Sequence, residues 1–308
     1  LDDNNLMNQQ IKHISFNEKL HKYTDEYNQV YTPVTSHIDL YKDKFDEQYW
    51  SLIKAKELNL TQKEVLDNWA KIRNDACDKG NTIHKRLENS IDDSSLKIKI
   101  KNTIHNNDCS QLEGYEVSLE ELRKTPLALH YPKILKLLEF YFNKDYKAYA
   151  EKRFYLSDYL IAGTIDLVLI KGKNFVIIDW KTNKDDLHFT SGYYKKVNGI
   201  KTNIWVNKKS YYKYPLHKLE DCKGIGYTLQ LSSYAWMMEQ WGFTCIGLIL
   251  CHIRETINEV NIQKEKRVDI VQIEYRNKDI EKMFNETKKN RLNKGDKGKM
   301  KFSSKFTW

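Results

Sequence analysis

Gly163-Thr164-Ile165-Asp166-Leu167-Val168-Leu169-Ile170, then Lys171-Gly172-Lys173-Asn174, then Phe175-Val176-Ile177-Ile178-Asp179-Trp180-Lys181-Thr182 is the stretch that decides the fold. Two apolar, β-branched runs flank a short polar turn sequence, which predicts two adjacent strands joined by a tight turn. The second run is apolar on both of its faces, so it is expected to be a central strand. Each run nevertheless carries an aspartate, and a carboxylate in an apolar strand is costly unless it is paired or metal-bound. Asp179 and Lys181 are two positions apart and therefore face the same side of a strand. Two carboxylates and an ammonium are expected to converge at one sheet edge. Hard carboxylate oxygens suit Mg2+ or Mn2+. Such an ion polarises a phosphate and lowers the pKa of a bound water, while a lysine orients that water or offsets transition-state charge. A surface Asp–Lys pair closing a strand explains one such motif but not two strands each bearing an acid.

Working outward, Ala148 to Tyr155 alternates as a strand, and Ile246–Leu250 and Val268–Ile273 read as later strands. Thr61-Gln62-Lys63-Glu64 has the form of a capping box. Val65, Leu66, Trp69 and Ile72 follow at helical spacing, Gly80 weakens the pattern, and a further helical stretch carries His84, Leu87 and Glu88. Residues 90 to 130 are polar and read as short helices and loops. An amphipathic helix stands behind Pro132, a helix returns from Leu229 to Met238, and Ile280 to Met283 begins a closing helix. This order predicts an α/β chain with a mixed central sheet flanked by helices. It divides into an N-terminal hairpin and helical region (1–146), a core (147–287) with a basic, aromatic insertion (185–224), and a basic tail (288–308).

The chain has 308 residues, 40% hydrophobic and 12% aromatic, with a formal net charge of +9. That is enough for a buried core and argues against disorder. A basic balance points to an anionic partner, of which nucleic acid is the commonest large one, or reflects only a Lys-rich composition. The five cysteines contain no C-x-x-C pair, which leaves zinc ribbons and redox motifs unsupported and fits reduced thiols in a cytoplasmic setting. No apolar run reaches the length of a membrane span, so no membrane partner is expected. The first residues resemble neither a signal nor a transit peptide. A mitochondrial setting stays open, because the chain lacks an initiator Met.

The Asp166, Asp179 and Lys181 set resembles the RecB-like branch of the PD-(D/E)XK nucleases, and is most similar to the phage and mitochondrial genome maintenance type of single-strand exonuclease. The resemblance runs over nearly the whole chain. Tyr31-Thr32-Pro33-Val34-Thr35 is similar to that family's P-S-V-T segment, with proline and hydroxyl residue exchanged. Gly80 to Glu88 is similar to its G-T-x-x-H helix with one shifted residue. Gln230-Leu231-Ser232-Ser233-Tyr234 matches Q-x-x-x-Y. The resemblance implies a restriction-endonuclease-like core, metal ligation by His84, Asp166 and Asp179, and catalytic roles for Asp166, Asp179, Lys181, Gln230 and Tyr234. It implies supporting roles for Glu151 and Glu88, and DNA as substrate, single-stranded or with free ends. Some relatives hold an iron–sulfur cluster with cysteines near the C-terminus. This chain lacks that cluster of cysteines, and none is expected.

His84 and Glu88 stand at i and i+4 on one helix face, as do Gln230 and Tyr234. His84 by itself also fits a satisfied core or surface histidine and Glu88 a helix-stabilising surface acid, while Gln230 and Tyr234 also fit a helix with one polar edge. In the insertion, Lys195, Lys196, Lys208 and Lys209 interleave with Trp205, Tyr211 and Tyr212, as a surface that stacks bases and holds phosphates would. The same composition suits an insertion folded on its own aromatics. Three readings follow: an exonuclease on single strands or ends, a structure-specific or restriction-like endonuclease, and a nucleic-acid-binding scaffold without turnover.

Overall fold

A computed structural model of the chain describes residues 14–18, 20, 22–101, 113–197, 200–258 and 263–295. Three short strands open it, β1 (Ile14–Asn17), β2 (Lys22–Asp25) and β3 (Val30–Pro33), followed by helices α1 (Val34–Asp39), α2 (Glu47–Leu58) and α3 (Gln62–Asp93). Strands β4 (Ser95–Lys101) and β5 (Glu113–Val117) precede α4 (Leu119–Leu122), α5 (Pro126–His130) and α6 (Pro132–Phe142). Then come β6 (Lys147–Leu156), β7 (Ile161–Lys171), β8 (Asn174–Lys181), and the hairpin β9 (Gly192–Val197) and β10 (Ile200–Asn207). The chain continues through α7 (Lys223–Gln240), β11 (Thr244–Asn258), β12 (Gln263–Ile273) and α8 (Asn277–Gly295).

The strands other than β9 and β10 form one mixed sheet. β8 lies between antiparallel β7 and parallel β11, the central place its two apolar faces require. Phe175 and Ile177 point into one core with Val34 and Ile38 of α1, Leu229 and Ala235 of α7, and Met283 and Phe284 of α8. Val176, Ile178 and Trp180 point into the other, with Ile83 and Leu87 of α3, Leu122, Leu127 and Leu138. The molecule is thus an α/β protein with helices on both faces of a mixed sheet. The sheet runs on across residue 146, since β5 pairs with β6 and β3 with β7.

Three sequence expectations change. Gly80 does not interrupt α3, which is continuous for 32 residues behind the capping box of Thr61 and Glu64. A Cβ at Gly80 would stand 3.2 Å from Thr182 Oγ1, so the glycine lets the helix approach the end of β8. Within 90–130, β4 and β5 are strands: Leu96, Ile98 and Ile100 alternate with lysines through β4, a strand signal set in an otherwise polar stretch, and β5 joins β4 to β6. Residues 288–295 continue α8 instead of beginning a tail, and 296–308 lie outside the described residues.

Candidate active site

The site forms where the sheet divides. β7 is paired along β6, but its other edge is shared. β3 occupies that edge at Ile161 and Ala162, and β8 from Leu167 to Lys171. Past the Leu167–Ile178 rung, β7 and β8 part, and the Asp166 side chain bridges the gap by accepting a hydrogen bond from Trp180 N at 2.8 Å. The fork therefore presents Asp166 from one strand and Asp179 and Lys181 from the other.

The opposite strand is distorted at the same level. The β6–β7 ladder pairs Ala150 with Leu167 and Lys152 with Ile165 but skips the rung between Glu151 and Asp166. Glu151 has φ 48°, and among the described residues it alone combines a β-strand position with a side chain and a positive φ. Such backbone costs on the order of 1 kcal/mol or more and persists where the surroundings enforce it. The twist has a consequence for packing. Even-numbered residues of β6 enter the second core up to Ala150 and the first core from Phe154; odd-numbered residues of β7 enter the first core up to Ile165 and the second from Leu167. At the crossover, Glu151 and Asp166 belong to neither.

His84 enters from α3, whose Ile83 and Leu87 anchor that helix in the second core. Its Nδ1 lies 3.5 Å from Asp166 Oδ1. His84, Glu151 and Asp166 each bring one ligand atom within 4.8 Å of the others. Asp179, buried at 2% exposure, instead holds Lys181 Nζ at 2.7 Å from Oδ2. The tightest donor group thus includes Glu151, which the sequence marked only as supporting, while Asp179 stands on the lysine side of the fork. Glu88 is one turn further along α3, in an ion pair of 2.9 Å with Lys85.

Charge at the fork is strongly coupled. Burial opposes a cationic His84, but the Asp166 charge and hydrogen bond, aided by Asp179, push its pKa up to about 9. Burial pushes Asp166 upward too, yet His84, Lys181 and the Trp180 amide hold it below the usual carboxylate range. Burial raises Glu151 to about 8, with the charges of Asp166 and Glu88 adding to it. Burial raises Asp179 to about 6 against the pull of Lys181. Lys181 is raised: burial disfavours its charge, and Asp179 and Asp166 more than restore it. Acids that resist ionisation beside one another are the donor set that a divalent cation would relieve.

From the other face, α7 supplies Gln230 and Tyr234, with Gln230 Nε2 donating to the Tyr234 hydroxyl at 3.3 Å. The Tyr234 ring lies against Gly163, where a Cβ would come within 2.4 Å of it, so β7 needs glycine there. Tyr234 is buried against Gly163 of β7 and braces that strand. The same helix brings Tyr227, which the sequence reading passed over; its spacing of three to Gln230 and seven to Tyr234 is that of one helical face.

The insertion divides between its two sequence readings. Trp205 is stacked on His188 with centroids 3.8 Å apart and meets Tyr194 edge-on, so it packs within the hairpin. Tyr212 is buried in the main core and offers no free face. Tyr211 is exposed, as are Lys195, Lys196, Lys208 and Lys209. Ser191, which accepts the Ser210 amide and donates to Glu220, clamps the base of the hairpin.

No known family's sequence profile matches the chain, and no curated protein matches it. Among solved structures it is similar to SSO0001, at a TM-score of 0.22 and 17% identity over 55% of this chain and 63% of that one, so it spans less than two thirds of that protein. It is similar also to a protein from Eubacterium rectale described as a candidate exonuclease, at a TM-score of 0.32 and 11% identity over 88% of this chain and 83% of that one. At such TM-scores the likeness is partial and carries neither fold nor function. Among the described residues, no helix is long and apolar enough to cross a membrane.

Proposed function

We propose that the chain is a metal-dependent deoxyribonuclease of the PD-(D/E)XK type, of the RecB-like branch, acting as an exonuclease on single-stranded DNA or DNA ends. One observation carries this reading: the strand fork gathers His84, Glu151 and Asp166 into a group within 4.8 Å and sets the Asp179–Lys181 pair beside it. A donor set of carboxylates and one imidazole suits Mg2+ or Mn2+. A bound ion would supply Lewis acidity toward a phosphodiester and the attacking water. The protein's own groups do the rest. Asp166 orients His84 and is itself fixed by Trp180 N. Lys181 donates toward the attacking water or a phosphate oxygen, and Asp179 holds it there. Gln230 and Tyr234 keep β7 in place.

DNA as substrate is supported by the net charge of +9 and the exposed lysines of the insertion.

The test uses end-labelled DNA, single- and double-stranded, linear and circular, with Mg2+, Mn2+ or excess EDTA. Expected is mononucleotide or short-oligonucleotide release from linear DNA, none in EDTA, and recovery on adding metal. Cleavage of circles would make the chain an endonuclease. Binding without metal-dependent turnover would make it a scaffold, and hydrolysis in EDTA would refute the metal mechanism.

A further inference from the structure

Lys181 is the last residue of β8, and its rung opposite His252 of β11 is the last of that ladder. Its side chain has four rotatable bonds, and Asp179 draws the ammonium toward one carboxylate oxygen at 2.7 Å. Something else must hold it facing the fork. The ammonium also lies over the Tyr227 ring, with Nζ 4.9 Å from its centroid, within cation–π range. The same residue acts on the backbone that follows. Its hydroxyl donates to Asn183 Oδ1 at 3.2 Å, the buried His252 ring meets the Asn183 carbonyl at 2.8 Å through Nε2, and Asn183 Nδ2 donates to the Asp185 carbonyl at 3.0 Å. Asn183 is thus clasped from α7, from β11 and from its own loop, two residues beyond the lysine.

We propose that Tyr227 is a positioning residue for Lys181: its ring backs the ammonium, and its hydroxyl, through Asn183, fixes the end of the strand that carries it. The proposal rests on the nuclease reading for its catalytic consequence, though not for its geometry. It separates two duties of one side chain. Removing the ring frees the ammonium. Removing only the hydroxyl leaves the ammonium backed and Asn183 still held by His252.

The experiment compares Tyr227→Leu, Tyr227→Phe and Asn183→Ala with the wild type, on linear single-stranded DNA with saturating Mg2+. Expected for Tyr227→Leu is a fall in kcat of about tenfold, with KM and metal affinity unchanged. Tyr227→Phe and Asn183→Ala should each lose about threefold. Thermal melting checks that each variant is folded. A second readout needs no turnover. After reductive methylation with 13C-formaldehyde, the Lys181 methyl resonance, assigned by its loss in Lys181→Arg, should lie upfield under the Tyr227 ring current. It should keep that shift in Tyr227→Phe and lose it in Tyr227→Leu. The proposal is overturned if Tyr227→Leu keeps wild-type kcat, if Tyr227→Phe is as impaired as Tyr227→Leu, if the loss falls on KM or metal affinity, or if the resonance ignores the ring. A wild-type protein that cleaves nothing refutes the nuclease reading instead, and the resonance still decides whether the ring holds the ammonium.

Discussion

His37 on α1 and His84 on α3 lie on opposite faces of one sheet, and their surroundings push their protons in opposite directions. His37 is fully buried between α1 and α8, edge-on to Phe284 and Tyr41, with Nε2 at 2.6 Å from Thr287 Oγ1. Its Nδ1 has no hydrogen-bond partner. Burial, with the charge of Arg291 adding to it, drives its pKa down to about 4. His84 also suffers from burial, but Asp166 and Asp179 carry it up to about 9. Burial by itself therefore marks a packed histidine. Burial joined to opposed charges that the fold itself has crowded together marks the fork, and that combination is what a chemical site requires.

The largest test of this contrast removes the carboxylate that makes the difference. Asp166→Asn can still accept the Trp180 amide, so the fork should keep its shape. Cleavage should fall about 1000-fold, and the His84 titration should move well below its present value because its main raising charge is gone. His37 should not move. Proton NMR of the imidazole C–H signals follows both histidines in one sample. A His84 titration unchanged in Asp166→Asn, or cleavage near wild type at saturating Mn2+, would refute the assignment of the fork.

His37 gives the next largest effect, on stability. It is a base whose folded pKa, about 4, lies below its unfolded value, so the unfolded chain binds its proton more readily. Its neutral form supports the fold in full above about pH 6.5, and that support is lost as pH falls toward 4. The linked loss is about 3 kcal/mol. Carboxylates elsewhere also respond to acid, so the quantity to measure is the difference between wild type and His37→Phe in urea unfolding at pH 7 and pH 4. The variant, aromatic and close in volume, should show the shallower acid loss. Equal slopes would mean that His37 is not the buried neutral base described.

Much of this contrast is written in the sequence, and the part that is missing has a physical reason. Phe175 to Lys181 announces a central strand, and the two-residue spacing of Asp179 and Lys181 survives intact as an ion pair on one face. The capping box at Thr61 marks the start of α3, and His84 falls on the helix face that meets β7. Glu151 was harder to read. Regular alternation predicts which face a strand residue takes, and here β6 and β7 both change phase at the same level, which only pairing across strands produces. Trp205 and Tyr212 look alike as aromatics among lysines, yet one stacks on His188 and the other enters the main core, because composition records no depth. β4 was legible in principle, since Leu96, Ile98 and Ile100 alternate with lysines, but the polar residues on either side of it masked the pattern.

The smallest effect isolates the strain at Glu151, which has no counterpart around His37. Two variants remove the same carboxylate. Glu151→Ala keeps a Cβ at φ 48°, where an L side chain crowds its own backbone; Glu151→Gly does not. Both lose the carboxyl group that burial and Asp166 raise to a pKa of about 8, so the change in electrostatics is common to both and cancels in their difference. Glycine's looser unfolded chain works against it, by roughly 0.5–1 kcal/mol, while relief of the left-handed strain works for it by roughly 1–2 kcal/mol. The glycine variant should therefore be the more stable by about 1 kcal/mol in urea unfolding, and both should bind Mn2+ more weakly than wild type. An alanine variant as stable as the glycine one would show that β6 relaxes to ordinary strand geometry once the carboxylate is gone. In that case the twist at the fork is enforced by Glu151 itself and not by the packing of Ala150 and Phe154 into opposite cores.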